Sequence, residues 1–443
     1  MNVLFISLGC DKNRVDSEFM LGKLAQNQFS VTDDESEADV IVINTCCFIG
    51  DAKEESIETI LGMAEYRTKG RCRALIVCGC LSERYREEIR REIPEVDAVL
   101  GTNATESVLD AVERSLAGEK YECFEPLDRI EEHTAGRMIS TGGHYAYLKI
   151  AEGCAKQCSY CIIPRIRGRY RSLPMDKLIA EAEQLAAQGV KELILVAQET
   201  TCYGVDLYGE KALHRLLRRF NEIDGLLWIR LLYCYPEEIY PELIAAVRDC
   251  EKVCDYIDMP IQHCNNEILK RMGRQTDKES LAATIALLRK EIPDIALRTT
   301  VICGFPGETK EQHAELLRFI EETRFDRLGS FVYSAEEDTP AASFPDQVDE
   351  ETKEARQAEV MELQHEIVLA ENEEMVSRRL PVLIEGKVAD EDVYIGRTYR
   401  DAPDVDGYVF VETTRELISG DVLEVEITAA YEYDLIAVPV GER

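Results

Sequence analysis

Short apolar runs alternate with amphipathic, charged stretches along most of the chain, and this rhythm limits the possible folds more than any other feature. In the first 135 residues the apolar runs are NVLFISLG, DVIVINT, RALIVCG and DAVLGT. Each has the length and composition of a buried parallel strand, and a helix-like stretch follows it. This βαβα order predicts an α/β domain with an open, doubly wound sheet.

The same rhythm restarts at YAYLKIAEGC, after residues 124–144, which lack periodicity and read as a linker. Further strand candidates are ELILVAQ, LLWIRLLYCY, DYIDMPIQ, ALRTTVICG and RLGSFVYS. These six strand–helix units predict an incomplete parallel barrel, because a closed barrel of this kind has about eight. From Leu380 onward, short alternating runs between Gly, Asp and Pro turns predict a small antiparallel barrel of about five strands.

Three cysteines, Cys154, Cys158 and Cys161, follow the first strand of the predicted parallel barrel. Barrel enzymes keep their chemistry at such strand ends. Thiolates select zinc or iron–sulfur clusters, and a structural zinc site needs a fourth ligand. No second cysteine or histidine pair stands at the usual spacing, which disfavours zinc. A four-iron cluster held by three thiolates leaves one iron open to a small molecule, and this is the chemistry that the spacing favours.

A second set, Cys10, Cys46 and Cys80, ends the first three predicted strands. The gaps of 36 and 34 residues each match one βα unit. Because parallel strands end at the same edge of a sheet, we expect the three thiols to converge there. Three unrelated core cysteines are the alternative, since cysteine is often buried. Convergence would give a second cluster with an open iron.

The C-x-x-x-C-x-x-C spacing, with Tyr160 before the last cysteine, resembles the radical S-adenosylmethionine superfamily. The resemblance implies that the open iron binds the amino and carboxylate groups of S-adenosylmethionine, and it assigns no side chain as a general acid or base. Several strand-end residues are candidates for cofactor contact: Gln198, Glu199, Gly304, Gly307, Arg230 and Arg298. For the two arginines a structural ion pair is the open alternative, because a buried guanidinium needs a carboxylate partner.

The order of the three segments resembles that of the methylthiotransferases. It implies a flavodoxin-like N-terminal methylthiotransferase domain over residues 1–123, a linker over 124–144, and a partial (β/α)6 radical barrel over 145–375. Residues 378–443 resemble a TRAM domain, an OB-like barrel. The family uses two 4Fe-4S clusters and two S-adenosylmethionine molecules per turnover, one to methylate a sulfur at the second cluster and one to make a radical.

The motifs LGCDKNRVDSE, NTCCFI, AQETTCYGVDLYG and GRTYRDAPDVDGYVFV resemble the ribosomal-protein branch, which adds a methylthio group to the β-carbon of an aspartate in the twelfth small-subunit protein. The alternative branch modifies isopentenyladenosine of transfer RNA. Residues 380–443 contain five Lys or Arg against fifteen Asp or Glu, a poor match to phosphates and a good match to a basic protein. Asp11 and Cys47 depart from the branch pattern, and Cys47 leaves the ligand choice beside Cys46 open.

The whole chain carries a formal net charge of -34, which either favours a basic partner or serves solubility alone. The chain has no apolar run of membrane-spanning length, and we expect a cytoplasmic protein with reduced cysteines. RIRGRYR, with Arg165, Arg167, Arg169 and Arg171, predicts either a basic face near the cluster or a set of salt bridges. The resemblance further implies a flavodoxin or ferredoxin as electron donor and a monomer. A non-catalytic iron–sulfur or zinc protein is the third hypothesis.

Overall fold

The computed structural model describes residues 1–131, 133 and 136–441. The predicted linker includes Glu132, Thr134 and Ala135, which lie outside the described residues, as do Glu442 and Arg443 of the predicted terminal domain. The chain divides into two compact units. The first contains residues 1–140, 151–173 and 334–342, and the second contains residues 141–150, 174–333 and 343–443. Both three-cysteine sets therefore lie in the first unit.

The first unit is built on a six-stranded parallel sheet in the order β2-β1-β3-β4-β5-β6. Its strands are β1 (Asn2–Ser7), β2 (Ser30–Val31), β3 (Val40–Thr45), β4 (Ala74–Gly79), β5 (Ala98–Leu100) and β6 (Tyr121–Cys123). Its helices are α1 (Asp11–Gln26), α2 (Gly50–Ala64), α3 (Tyr66–Lys69), α4 (Cys80–Arg84), α5 (Arg86–Glu92) and α6 (Val108–Leu116). The predicted open α/β sheet is confirmed.

Alternate residues of these strands enter two separate cores, one on each face of the sheet. Ile41 and Ile43 pack into one core, whereas Val40 and Val42 pack into the other. This two-sided burial is why the strands read as continuous apolar runs. The segment 151–173 joins the first of these cores through Ile162 and Ile166. It contains β8 (Ala151–Glu152), α7 (Ile163–Ile166) and β9 (Arg171–Ser172).

The second unit holds a six-stranded parallel sheet in the order β14-β13-β12-β11-β10-β7. Its strands are β7 (Tyr145–Lys149), β10 (Glu192–Val196), β11 (Trp228–Leu231), β12 (Val253–Asp258), β13 (Ala296–Cys303) and β14 (Arg327–Val332). Its helices are α8 (Met175–Ala187), α9 (Val205–Tyr208), α10 (Leu213–Asn221), α11 (Pro241–Asp249), α12 (Asn266–Arg271), α13 (Lys278–Glu291), α14 (Lys310–Thr323) and α15 (Glu350–Glu374). The predicted six-stranded partial barrel is confirmed.

A closed five-stranded barrel follows α15 in the order β15-β16-β17-β19-β18. Its strands are β15 (Arg379–Lys387), β16 (Val393–Arg397), β17 (Val409–Glu412), β18 (Val422–Tyr431) and β19 (Asp434–Pro439). The small barrel is as predicted, but β17 and β19 pair in parallel. An odd number of strands that alternate in direction cannot close a ring without one parallel pair. Among the residues that the structure describes, none of the helices is both long and apolar enough to cross a bilayer.

Candidate functional site

Cys154, Cys158 and Cys161 lie in a loop whose two ends are tied together. A short antiparallel pairing joins β8 to β9, and the Cys154 N–H donates to Gly168 O at 3.1 Å. Gly153 has a φ of +76°, and a Cβ there would collide with the carbonyl oxygens of Gly168 and Arg169. The loop is therefore closed tightly around its cysteines. Cys154 and Cys158 are buried, and Cys161 is partly exposed.

Cys10, Cys46 and Cys80 converge, as the strand spacing predicts. The Cys80 and Cys10 thiols both act electrostatically on Cys46, and Cys10 acts on Cys80. A Cβ on Gly9 would lie 2.9 Å from Cys46 Sγ, so the chain before Cys10 packs directly against Cys46. Cys46 and Cys80 are buried and Cys10 is exposed. The three thiols thus form one group that is open on one side.

Asn13, in the first turn of α1, connects the three chain ends that carry these thiols. Its Nδ2 donates to Leu8 O at 3.0 Å and to Thr45 O at 2.9 Å, just before Cys10 and Cys46. The Cys80 thiol lies 3.8 Å from Asn13 Oδ1. One amide side chain therefore sets the spacing of the whole group. The sequence carries no signal for this role beyond an Asn at the start of a helix.

Arg167 brings a buried positive charge to the same place. Its Nη1 lies 2.8 Å from Asp16 Oδ2 and 3.2 Å from Glu152 Oε2, while Nη2 donates to Asn13 Oδ1. The predicted basic face of RIRGRYR is wrong, because the run begins in α7 and is not extended. Arg165 and Arg169 are exposed, whereas Arg167 and Arg171 are buried. For Arg167 the salt-bridge alternative holds.

The thiols fit a cluster-binding role by their burial and charge. Burial, followed by the Cys80 and Cys10 thiols, raises the pKa of Cys46 to about 12. Burial also raises the pKa of Cys80, against which Arg167 acts, and burial followed by Cys158 raises that of Cys161. Because burial and neighbouring thiols disfavour the thiolate form, grouped thiolates need a cationic partner, and iron supplies one. No group of His, Cys, Asp or Glu within 1–131, 133 and 136–441 is arranged to chelate a single ion. A four-iron cube is a different template, because it receives each thiolate on a separate iron.

Cys47 is fully buried and lies beside Cys80, Arg84 and Cys46, whereas Cys46 interacts with both Cys10 and Cys80. Burial, followed by Cys80, raises the pKa of Cys47 to about 12. Arg84 Nη1 donates to the carbonyl oxygen of Cys47 at 3.2 Å, which ties this residue toward α4. The geometry supports Cys46 as the third member of the group.

The predicted cofactor cradle lies in the second unit. Gln198 and Glu199 follow β10, and Glu199 Oε1 accepts a hydrogen bond from Thr201 N at 2.8 Å. Gly304 and Gly307 follow β13 with φ values of +73° and +80°. A Cβ on Gly304 would collide with Lys353, and one on Gly307 with the Arg271 guanidinium. Both glycines are thus explained by contacts within the chain, and their contact with S-adenosylmethionine stays a prediction.

Arg230 and Arg298 are occupied by protein partners. Arg230 Nε lies 2.6 Å from Glu192 Oε1, and its Nη1 donates to Tyr399 O at 2.6 Å. Arg298 bonds Asp258 at 2.9 Å and Asp406 at 3.2 Å. Both therefore anchor the 398–408 loop of the terminal barrel to β11 and β13. Of the two readings left open by the sequence, the geometry supports the structural ion pair.

Glu308 is a buried carboxylate that sequence reasoning did not single out. Its Oε2 accepts from Phe305 N at 3.1 Å and also from Gly304 N, which fixes the glycine turn. Burial alone would raise the pKa of Glu308. The neighbouring His263 and His313 side chains, with the charge of Arg356, outweigh burial and hold that pKa at about 2. The only sequence signal was its place directly after the Gly-rich turn.

Three family models match the chain in the order that the fold suggests. They are the uncharacterized protein family UPF0004 over residues 2–101, the radical SAM superfamily over 148–320 and the TRAM domain over 376–440. Among solved structures, the radical S-adenosylmethionine methyltransferase TsrM from Kitasatospora setae has a TM-score of 0.54 at 15% identity, covering 77% of this chain and 74% of TsrM. The cobalamin-dependent radical enzyme OxsB has a TM-score of 0.53 at 14% identity, covering 77% of this chain and 54% of OxsB. At these identities the likeness concerns the fold alone.

Curated relatives match over the full length. A protein of Lachnoclostridium phytofermentans named ribosomal protein uS12 methylthiotransferase RimO is 58% identical, over 98% of this chain and 99% of its own. Proteins of the same name are 47% identical in Clostridium botulinum, over 100% and 99% of the two chains, and 48% identical in Clostridium perfringens, over 99% and 98%. With this identity and coverage, the chain belongs to the radical S-adenosylmethionine methylthiotransferases, on the RimO branch of that family.

Proposed function

We propose that this protein is a transferase that adds a methylthio group to the β-carbon of an aspartate in ribosomal protein uS12. The observation that carries the proposal is the placement of two separate three-cysteine groups in one compact unit. A methylthio transfer needs one site for radical formation and one for the sulfur, and two open clusters provide both. The names of the full-length relatives support the same reaction and substrate.

Each group of thiols holds one 4Fe-4S cluster in this proposal. Cys154, Cys158 and Cys161 hold the first, and Cys10, Cys46 and Cys80 hold the second. When bound, the clusters and two S-adenosylmethionine molecules supply an electron, a hydrogen-abstracting radical and the methylthio group. The chain itself positions the thiols. Asn13 spaces the three N-terminal thiols, and the β8–β9 pairing closes the loop that carries the other three.

The second unit binds and orients S-adenosylmethionine in this proposal. Gln198 and Glu199 lie after β10, and Gly304 and Gly307 lie in the turn that Glu308 fixes. No acid or base side chain is assigned to the chemistry. Arg230 and Arg298 are left out of the cradle, because both already hold protein carboxylates.

The charge of the terminal barrel supports a basic protein as substrate over transfer RNA. Residues 380–443 contain five Lys or Arg against fifteen Asp or Glu. A surface of this sign attracts a basic ribosomal protein and repels phosphates. We further propose a cytoplasmic monomer that takes electrons from a flavodoxin or ferredoxin, since its substrate is a component of the ribosome.

The test incubates the anaerobically reconstituted, reduced protein with S-adenosylmethionine carrying a labelled methyl group. Parallel reactions contain small ribosomal subunits, a peptide spanning the uS12 aspartate, or transfer RNA. The proposal predicts label and a methylthio mass increase on the aspartate, together with deoxyadenosine. Label in transfer RNA instead would assign the other branch, and a protein that yields neither product would support the non-catalytic hypothesis.

A further inference from the structure

Arg167 connects two chain segments of the first unit, one after Cys10 and one beside the Cys154–Cys161 loop. It follows the Cys154–Cys161 loop in sequence, yet its partners Asn13 and Asp16 belong to α1, which begins directly after Cys10. Its third partner, Glu152, lies two residues before Cys154. The Arg167 side chain is 2% exposed, so these contacts are shielded from water.

The guanidinium also acts on a thiol of the N-terminal group. The charges of Arg167 and Glu152 both act on the Cys80 thiol. An arginine has five N–H donors in a rigid fork, so several acceptors can fix its orientation at once. Asp16, Glu152 and Asn13 take up part of this fork, and the same Asn13 Oδ1 that accepts from Arg167 lies 3.8 Å from the Cys80 thiol.

We propose that Arg167 is a positioning residue that couples the two cysteine groups. It holds Cys80 in place for the N-terminal cluster and, through Glu152, fixes the loop of Cys154, Cys158 and Cys161 relative to that site. This inference rests on the proposed function, because it assumes clusters at both groups. In physical terms, Arg167 places a fixed positive charge beside the N-terminal cluster. Through Glu152 it also links this site mechanically to the loop of Cys154, Cys158 and Cys161.

Arg137 provides a matched control. Its side chain is 3% exposed and pairs with Glu18, which lies on the same helix as Asp16. Phe19 lies under its guanidinium. Replacing Arg137 by Met therefore removes an arginine–carboxylate pair that is buried like the Arg167–Asp16 pair and involves the same helix, α1. It leaves the charge of Arg167 near Cys80 in place. Any effect that comes only from a weakened fold appears in both variants.

The first experiment uses the full chain with Cys154, Cys158 and Cys161 replaced by Ala, so that only the N-terminal cluster is observed. Arg167→Met and Arg137→Met are compared in this background by redox titration followed by electron paramagnetic resonance, and by iron loss to a chelator. We expect Arg167→Met to shift the midpoint potential to a more negative value, because a reduced cluster loses a neighbouring positive charge. Cluster affinity should fall by about 10- to 100-fold, as for other partners of metal ligands. Arg137→Met should change neither.

The second experiment uses the otherwise native chain and measures the product formed per deoxyadenosine. Arg167→Met should lower this ratio, because the loop is no longer fixed relative to the N-terminal site. Arg167→Lys keeps the positive charge but loses the planar set of N–H donors. Its midpoint potential should therefore be close to the native value, while its product per deoxyadenosine should stay as low as in Arg167→Met. This variant also serves if Arg167→Met does not fold.

Unchanged potential, affinity and product ratio in Arg167→Met, or equal changes in Arg137→Met, would overturn the inference and leave the proposed function intact. A ratio fully restored by Arg167→Lys would overturn the mechanical link. If the unsubstituted N-terminal group assembles no cluster at all, the proposed function fails together with the inference, so the two failures are distinguishable.

Discussion

The two three-cysteine groups lie in the same unit but are built in opposite ways. Cys154, Cys158 and Cys161 share one short loop, whose ends are joined by two pairs of residues between β8 and β9. Cys10, Cys46 and Cys80 come from three strand ends of a parallel sheet and are spaced by Asn13. The first group is a local motif, whereas the second exists only once the sheet has formed.

The polar surroundings of the two groups differ in the same sense. In the loop, backbone N–H groups serve the thiols: Lys156 N donates to Cys154 Sγ at 3.4 Å, and the Ile163 N–H lowers the pKa of Cys161 against burial. In the N-terminal group the backbone of Phe48 acts on Cys46 in the same way, but Cys80 also receives the charge of Arg167, a side chain from a distant segment. The local motif is thus served by its own backbone, while the assembled site adds a side chain from elsewhere.

Cys158→Ala gives the largest expected effect and tests the loop group alone. It should abolish deoxyadenosine formation, because three thiolates are the minimum that holds the open cluster. The N-terminal cluster should remain, with about half of the iron still bound. Chromatography of deoxyadenosine and iron analysis measure the two outcomes. Residual deoxyadenosine at the native rate would show that this loop is not the site of radical formation.

Cys46→Ala tests the assembled group and should have the complementary effect. Deoxyadenosine formation should persist, while methylthio transfer stops, because the proposed sulfur-carrying site is lost. Cys47→Ala is the matched control, since this neighbouring thiol is also buried, and Cys10 is among the main influences on Cys46 but not among those on Cys47. Full transfer by Cys46→Ala combined with loss in Cys47→Ala would reassign the ligand to Cys47.

Gly9→Ala and Gly153→Ala test the difference between the two cysteine groups without removing a thiol, and we expect smaller effects from them. A Cβ at Gly9 meets Cys46 Sγ at 2.9 Å, and one at Gly153 meets Gly168 O at 2.6 Å. Both residues have positive φ, at which a Cβ costs about 1–2 kcal/mol. Gly9→Ala should selectively weaken the N-terminal cluster, and Gly153→Ala the loop cluster, by about tenfold in iron retention. Equal loss of both clusters in either variant would mean that the two groups do not assemble separately.

Glu308→Gln gives the smallest expected effect on the two cysteine groups, because it tests a region without thiolate ligands. The pKa of Glu308 is lowered from 4.5 to about 2 by its histidine and arginine neighbours, which outweigh burial. A carboxyl group whose pKa is lowered by folding stabilises the protein at pH values above its pKa in the unfolded state. This stabilisation is lost as the pH falls through its pKa in the folded state. As the pH falls from 4.5 to about 2, the free energy of unfolding of the native protein should therefore decrease by up to about 3 kcal/mol. The variant lacks this contribution at every pH. Denaturant unfolding across this range measures it, and parallel pH curves for the two proteins would contradict it.

The strands and the convergence of the N-terminal thiols could be predicted because both follow from periodicity and parallel topology. Ile41 and Ile43 on one face and Val40 and Val42 on the other gave a clear strand signal. The positions of Cys10, Cys46 and Cys80 then followed from strand ends alone.

The contacts of individual polar side chains could not be predicted. The sequence leaves Arg167 either on an extended basic face or in a salt bridge, and a turn of helix before it directs it inward to Asp16. The sequence is compatible with a cofactor or a carboxylate at Arg230 and Arg298. The carboxylates that decide the choice, Glu192, Asp258 and Asp406, lie 38, 40 and 108 residues away. Such pairings depend on the tertiary arrangement of segments that no local pattern relates.

The most direct test of the account is the iron and sulfide content of anaerobically reconstituted protein, measured beside two triple variants. One variant replaces Cys10, Cys46 and Cys80 by Ala, and the other replaces Cys154, Cys158 and Cys161. Two independent clusters predict about eight irons in the native chain and about four in each variant. About four irons in the native chain, or bound zinc in place of iron, would contradict the claim that both groups hold a cluster.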